Sequence, residues 1–95
     1  MREAVYTSRF KKDVKLSKKR GKDMERLKAV MVLLANAEPL PQELKDHPLS
    51  GNWQARRELH VEPDWLLIYK LTDDDSTITF ERTGTHSDLF GSVRR

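Results

Sequence analysis

Residues 65–83 read Trp-Leu-Leu-Ile-Tyr-Lys-Leu-Thr-Asp-Asp-Asp-Ser-Thr-Ile-Thr-Phe-Glu-Arg-Thr, and this stretch decides the fold. Its first five residues are almost wholly apolar, which predicts a central strand that is covered on both faces. The polar run 72–76 predicts a hairpin loop. Residues 77–83 then form the next strand, with Ile78 and Phe80 on one side.

The preceding segment predicts a third strand. From Asn52 to Val61 the sequence alternates in a period of two, and Glu62-Pro63-Asp64 reads as a turn. Three consecutive strands with such tight connections must be antiparallel. Residues 39–51, rich in proline, are expected to form a loop before them.

The first third of the chain predicts one short strand and two helices. Residues 2–7 have strand character, and Thr7 or Ser8 can cap a helix that begins near Arg9. A second helix is predicted over residues 22–37, where apolar residues recur at helical spacing. That apolar stripe comprises Met24, Leu27, Val30, Met31, Leu33 and Leu34.

The end of the chain predicts a last, short helix. Thr85-His86-Ser87-Asp88 matches the capping pattern in which a threonine is followed three residues later by an acid, so a helix should begin at His86. The predicted order is β-α-α-β-β-β-α, in one domain over residues 1–95. We therefore expect an α+β fold of two layers, in which an N-terminal helical hairpin covers one face of an antiparallel sheet.

Composition narrows the class of protein. The chain has 95 residues, no cysteine, 37% hydrophobic and 35% charged residues. A disulfide framework and a thiolate metal site are both excluded. No apolar run approaches the roughly 20 residues of a membrane span, so we expect a cytoplasmic protein without a membrane partner.

Charge is distributed unevenly along the chain. Residues 1–30 contain eleven Lys and Arg against four Asp and Glu, whereas residues 31–95 contain seven against eleven. A basic block of this kind indicates nucleic acid or another anionic partner, although a solvated helix face would look the same. The candidates for RNA contact are Lys11, Lys12, Lys15, Lys18 and Lys19.

Three histidines, His47, His60 and His86, all lie in the second half of the chain. His60 ends one predicted strand and Asp64 begins the next, so both emerge at one edge of the sheet. Strand parity sends Arg82 and His86 to that same edge, provided that the last strand lies beside the others. A proton-transfer site acting on a phosphate-rich substrate is the sharpest hypothesis.

RNA cleavage suits these residue types. The reaction needs a base for the 2′-OH, an acid for the leaving 5′-oxygen and a cation for the phosphorane charge, and His, Asp and Arg supply all three without a metal. Isolated histidines are more often ordinary surface residues. A zinc site of three histidines and Asp64 is the rival, but the spacing is not that of helical zinc motifs and Arg82 would repel the ion.

The aromatic residues allow two interpretations. Trp53 and Trp65 lie in strand patterns, which favours a place in the core, although Trp65 is also kept as a substrate-binding candidate. Phe90 follows the last helix, so packing and base stacking are equally supported.

Several segments closely resemble the YafQ-like mRNA interferase toxins of the RelE/ParE superfamily. The resemblance also includes the helical segment KDVKLSKKRGKDMERLK and covers the chain up to the last four residues. The segments are DHPLSGNW (46–53), HVEPDWLLIYKLTD (60–73), FERTGTH (80–86) and LFG (89–91).

This resemblance implies a RelE-like, microbial-RNase-like fold and a type II toxin that cleaves mRNA in the ribosomal A site. It also implies a DinJ-type antitoxin, through which alone the toxin would meet operator DNA, and no cofactor. The implied catalytic set is His47, His60, Asp64 and His86, with Arg82 and Phe90 near the mRNA. We expect His86 to be the acid and either His47 or Asp64 the base.

Within this set, His60 and Arg82 would orient groups or stabilise charge. The basic first helix would dock on the 16S rRNA of the 70S ribosome. Two other classes remain as alternatives: a ParE-like toxin that inhibits gyrase by binding, and a nucleic-acid-binding module without catalysis. The histidine set speaks against the gyrase inhibitor, because a toxin that only binds does not require it; in the binding module the histidines would be incidental.

Overall fold

A computed structural model describes residues 1–91, so the predicted domain's last four residues lie outside the described part. Thr7 caps the first helix by accepting the backbone N–H of Phe10, as predicted, and Asp23 caps the second. The elements are β1 (Glu3–Tyr6), α1 (Ser8–Lys19), α2 (Met24–Ala35), β2 (His47–Pro48), β3 (Arg57–Glu62), β4 (Trp65–Thr72), β5 (Thr77–Gly84) and α3 (His86–Phe90).

The strands form one sheet in the order β1-β5-β4-β3-β2. The pairs β3–β4 and β4–β5 are antiparallel, as their tight connections predict. The edge strand β1, however, runs parallel to β5, so the sheet is mixed rather than wholly antiparallel. The α1–α2 hairpin follows β1 and carries the chain to the opposite edge, where β2 enters the sheet.

The strand predicted over residues 52–61 is shorter than expected. Gly51–Trp53 form a 3₁₀ turn, and Ala55 has a φ of 72°, so the extended backbone begins only at Arg57. The alternating pattern over 52–56 therefore reflects a turn that places Trp53 against the sheet. The predicted loop 39–51 also contains a 3₁₀ turn, Gln42–Leu44, and the two-residue β2.

The strand β4 is buried on both faces, which confirms the reading of its apolar sequence. Trp65, Leu67 and Tyr69 pack under the two long helices in the main core. Leu66 and Ile68 face the other way and pack against Leu89 of α3 with the partly buried Leu49, Trp53 and Phe90. We call this second side, marked by Leu66 and Ile68, the site face.

The longest described helices, α1 and α2, have 12 residues each. Within residues 1–91, no helix is both long and apolar enough to cross a membrane.

Candidate active site

Strand register places the predicted catalytic residues on the site face. His60 pairs with Leu66, and Glu58 pairs with Ile68. Directly opposed residues in a sheet point to the same side, so both His60 and Glu58 project from this face. His47 joins them because β2 pairs it with Glu58.

His86 comes to the site face from the end of β5. It is the first residue of α3, and its backbone N–H and its Nδ1 lie 2.9 and 2.6 Å from Oδ1 of Asp64. These hydrogen bonds lower the pKa of Asp64 below its ordinary value. Asp64 therefore remains a carboxylate near neutral pH and holds the imidazole ring by one nitrogen, leaving Nε2 directed elsewhere.

The three histidine rings form a continuous row. Ring centroids are 6.2 Å apart between His47 and His60 and 5.9 Å apart between His60 and His86. The row then meets Phe90, whose ring centroid lies 6.5 Å from that of His86. The structure thus brings together His47, His60, Asp64 and His86, as the resemblance implied.

Glu58 is a member of this cluster that sequence reasoning missed. Its Oε1 lies 3.2 Å from Nε2 of His47 and 3.8 Å from Nε2 of His60, and its side chain is only 6% exposed. Buried carboxylates are normally paired with another charged or hydrogen-bonding group. The groups that face Glu58 are two histidines. The sequence did contain a sign that Glu58 belongs to the site. It stands two residues before His60, so both side chains lie on the same side of β3.

His47 is fixed by the segment that precedes it. Its Nδ1 lies 2.8 Å from the carbonyl oxygen of Lys45. The neighbouring Asp46 accepts hydrogen bonds from Nε of Arg57, at 2.8 Å, and from the hydroxyl of Tyr69. Burial raises the pKa of Tyr69, so it stays a neutral donor and anchors this segment to the sheet.

The ligand atoms of His47, Glu58 and His60 lie within 4.8 Å of one another, close enough to hold a metal ion. Donors around a tetrahedral zinc ion stand about 3.4 Å apart, given bonds of about 2.0–2.2 Å, so small movements would complete such a site. This set differs from the rival site considered from sequence, because Asp64 is bound to His86 instead.

Arg82 lies in the same cross-strand row as Glu58, since both pair with Ile68. Its guanidinium group is not isolated. Asp13 of α1 accepts its Nε and Nη2 at 2.7 and 3.2 Å, and the two side chains are 15% and 10% exposed. Sequence reasoning placed Arg82 at the site but did not foresee this partner.

The aromatic candidates have different environments. Trp65 is 1% exposed within the main core, which corrects its assignment as a substrate-binding residue because neither face of its ring is open to a base. Trp53 and Phe90 are partly buried on the site face and meet edge to face, with ring centroids 5.7 Å apart. Phe90 also has its ring beside that of His86, so it stays the candidate for base stacking.

The helix that carries His86 is tied to the end of α1. Thr85 and Asp88 form the predicted capping box. Asp88 also accepts Nη1 of Arg20 at 2.6 Å, and this ion pair lowers the pKa of Asp88 to about 2. Gly84 is required just before α3, because a Cβ there would lie 2.9 Å from the side chain of Asp88.

The five lysines proposed for RNA contact all lie on exposed positions of α1. The buried positions of the same helix are Phe10, Asp13 and Ser17. The helix thus presents one face to the protein and a basic face to solvent, as its sequence predicted. A cavity of about 510 Å³, lined in part by Arg26, Lys45 and His60, opens at the free end of β3.

The fold and this site together define a class, the small α+β toxins with a RelE-like fold. Residues 2–91 match the family described as the bacterial toxin of the type II toxin-antitoxin system, YafQ. The chain belongs to this family.

Three relatives illustrate the match. The mRNA interferase toxin YafQ of Escherichia coli K12 is 57% identical over 91 residues, which cover 95% of this chain and 97% of the relative. The crystal structure of the E. coli DinJ–YafQ toxin-antitoxin complex matches with 57% identity and a TM-score of 0.85, over 95% of this chain and 98% of that one. A metal-bound toxin from Helicobacter pylori matches with 39% identity and a TM-score of 0.87, over 95% and 100%.

Proposed function

We propose that this protein is a ribosome-dependent endoribonuclease that cleaves mRNA in the ribosomal A site and so inhibits translation. The observation that carries the proposal is the His86–Asp64 pair, set at the end of a row of histidines. The relative named as an mRNA interferase supports the substrate class. The reaction is transfer of the phosphate to the 2′-oxygen, with the 5′-oxygen of the next nucleotide as leaving group.

His86 serves as the general acid. Asp64 accepts the hydrogen on Nδ1, so Nε2 is the nitrogen that is left to face the substrate. Asp64 is poorly suited to be the base, since its pKa is lowered and two hydrogen bonds from His86 occupy its Oδ1. Of the two bases considered from sequence, the geometry therefore favours His47.

His47 acts together with Glu58 as the proton acceptor. A carbonyl oxygen can only accept, so the bond to Lys45 places a hydrogen on Nδ1 of His47. Its Nε2 faces a carboxylate oxygen of Glu58 3.2 Å away. We infer that the proton released by the 2′-OH moves to Nε2 of His47 and that Glu58 stabilises the imidazolium that forms.

His60 and Arg82 stabilise the charge that develops on the phosphorane. His60 lies between the base and the acid, and Arg82 stands in the row of Glu58. Oriented donors of this kind contribute about 10²–10³-fold to rates in comparable sites. No step of this scheme requires a metal ion or another cofactor.

The proposed partners follow from charge and family. The lysines of α1 contact 16S rRNA, Phe90 contacts the mRNA, and a DinJ-type antitoxin holds the toxin inactive. Operator DNA is reached only through the toxin-antitoxin complex, and the protein acts in the cytoplasm. The complex of E. coli DinJ and YafQ supports the antitoxin assignment.

Cleavage of a defined mRNA, with and without programmed ribosomes, tests the proposal. The protein is first treated with EDTA, and His86→Ala is compared with Ser87→Ala, an exposed neighbour on the same helix. We expect cuts only with ribosomes, a loss of about 10²–10⁴-fold in His86→Ala and none in Ser87→Ala.

Other results would select an alternative. Ribosome binding without cuts in the wild-type protein would point to a non-catalytic binding module. Inhibition of gyrase without cuts would place the protein with the ParE-like toxins. Cleavage that survives in His86→Ala would remove this residue from the role of acid.

A further inference from the structure

A buried carboxylate lies behind the candidate active site, and the proposed chemistry does not use it. Asp13 is 9% exposed, on the face of α1 that packs against the protein. Its Oδ2 accepts Nε of Arg82 at 2.7 Å and the backbone N–H of Thr83 at 3.1 Å. Its Oδ1 accepts Nη2 of Arg82 at 3.2 Å.

The negative charge of Asp13 needs an explanation beyond stability. Removing a carboxylate and a guanidinium from water carries a desolvation penalty that their attraction often only offsets. The buried backbone N–H of Thr83 needs an acceptor, but a neutral amide oxygen at this position would satisfy it. Stability alone therefore does not explain a charged residue among the buried residues Phe10 and Ser17.

The geometry of the pair determines which edge of Arg82 is left for a ligand. A guanidinium group is planar and has five N–H donors. Asp13 occupies the edge formed by Nε and Nη2, and within residues 1–91 no hydrogen bond is made by Nη1. The fork-like contact fixes the plane, so the Nη1 end points away from Asp13.

Strand register shows where Arg82 starts relative to the other residues of the site. Arg82 pairs with Ile68, whose other neighbour across the sheet is Glu58. Adjacent strands are about 4.8 Å apart, so Arg82 and Glu58 start about 10 Å apart on the site face. A phosphate bound between them would meet the Nη1 end of Arg82 on one side and the histidines on the other.

We propose that Asp13 is a positioning residue for RNA cleavage. It holds the guanidinium group of Arg82 in one plane, so that the Nη1 edge meets the scissile phosphate. The inference rests on the proposed function and adds a residue that acts only through Arg82. An arginine without this partner would sample many rotamers and would have to be ordered during the reaction.

The test is the single-turnover cleavage rate of Asp13→Asn on programmed ribosomes. Asparagine keeps the shape and one acceptor but loses the charge-assisted fork. We expect the maximal rate to fall by about tenfold to 10²-fold with little change in ribosome affinity, because the phosphate contact is displaced and docking is not. Val30→Ala, a buried change in α2, controls for loss of stability.

A double-mutant cycle distinguishes positioning from a purely structural role. If Asp13 acts through Arg82, Asp13→Asn should slow the reaction in the wild type and leave the rate of Arg82→Gln unchanged. Equal rate losses in both backgrounds would overturn the inference. So would a folded Asp13→Asn protein that cleaves within twofold of the wild-type rate.

Two further measurements keep the proposal open to refutation. If Asp13→Asn does not fold, Asp13→Glu retains the charge but shifts the carboxylate by one methylene, and the same rate loss is expected. A wild-type rate in Asp13→Glu would then count against positioning. Failure of the wild-type protein itself to cleave on ribosomes would instead overturn the proposed function.

Discussion

Two carboxylates at the site have opposite environments and different consequences for the histidines beside them. Asp64 has a side chain 64% exposed and holds one histidine by its Nδ1. Glu58 is 6% exposed and faces the Nε2 atoms of two histidines. The exposed carboxylate orients the proposed acid, whereas the buried one lies beside the proposed base.

Replacing Asp64 by Asn tests the first of these roles. The amide can still accept a hydrogen bond from His86, but the stronger, charge-assisted bond that fixes the imidazole ring is lost. We expect single-turnover cleavage to slow by about 10²-fold, within the range of general acid–base contributions. Glu62→Gln is the matched control, because the ion pairs of Glu62 within residues 1–91 are with Lys22 and Arg26. A wild-type rate in Asp64→Asn would contradict the assignment.

Zinc ions should inhibit the enzyme by binding to Glu58 and the two histidines beside it. An ion bound by His47, Glu58 and His60 would occupy the nitrogen atoms that the reaction uses. We expect micromolar to millimolar Zn²⁺ to stop cleavage and EDTA to restore it. Calorimetric titration should show weaker Zn²⁺ binding to Glu58→Gln than to the wild type. Equal affinity of the two proteins would place the ion elsewhere.

At the level of elements, the short helix α3 depends on its first turn. It has five residues, so its own hydrogen bonds cannot hold it, and it is fixed by the Thr85–Asp88 capping box and by Arg20. His86 stands at the start of this helix. The position of the proposed acid is therefore set by groups that do not touch the substrate.

Acid should remove the contribution of Asp88. Its pKa is lowered to about 2, against about 3.9 in an unfolded chain, so its contribution is complete above pH 4 and disappears as the pH falls towards 2. We expect Asp88→Asn to lower the free energy of unfolding by about 1–2 kcal/mol at pH 6 and progressively less in more acidic buffer. Urea unfolding from pH 6 to pH 3 measures this difference. Asp74→Asn, in the exposed hairpin loop, should show no such trend.

The basic face of α1 should govern the salt dependence of ribosome binding. Each lysine that contacts a phosphate releases counterions, so its removal lowers the slope of log affinity against log salt by about 0.7–0.9. Replacing Lys12, Lys15 and Lys19 by Gln should reduce the slope by about two to three. Lys28→Gln on α2 serves as the control for a loss of charge. An unchanged slope would show that α1 does not meet RNA.

For the whole molecule, local sequence patterns predicted the helices and the three antiparallel strands, because period, caps and turn residues act over a few positions. They did not predict that β1 runs parallel to β5. Glu3 pairs with Thr77, a contact between segments separated by almost the whole chain. Residue types alone do not encode such a register.

The candidate site, like the fold, could be predicted from the sequence only in part. His60, Asp64 and His86 could be placed together because each lies next to a predicted strand end. The partners Glu58 and Asp13 could not be placed at the site from the sequence. Glu58 resembles any polar residue of an alternating strand. Asp13 looks like one more charge on a basic helix. Only tertiary packing shows that both carboxylates are buried.

Phe80 of β5 packs against residues of β1 and α1, which are far from it in the sequence. Its ring lies 5.6 Å from that of Tyr6 and 5.7 Å from that of Phe10, measured between centroids. We expect Phe80→Ala to lower the free energy of unfolding by about 3–5 kcal/mol, measured with urea. Phe90→Ala should cost less stability, because Phe90 is only half-buried on the site face. The reverse ranking would contradict this description of the core.

The pairing of β1 with β5 also sets the order in which parts of the fold can form during synthesis. A nascent chain leaves the ribosome from its N-terminus, so β1 must wait for β5 before it has a neighbour. Arg82 and His86 arrive in those same late segments, after every other element of the described fold. The candidate active site therefore cannot be assembled until β5 and α3 have been synthesised and have left the ribosome.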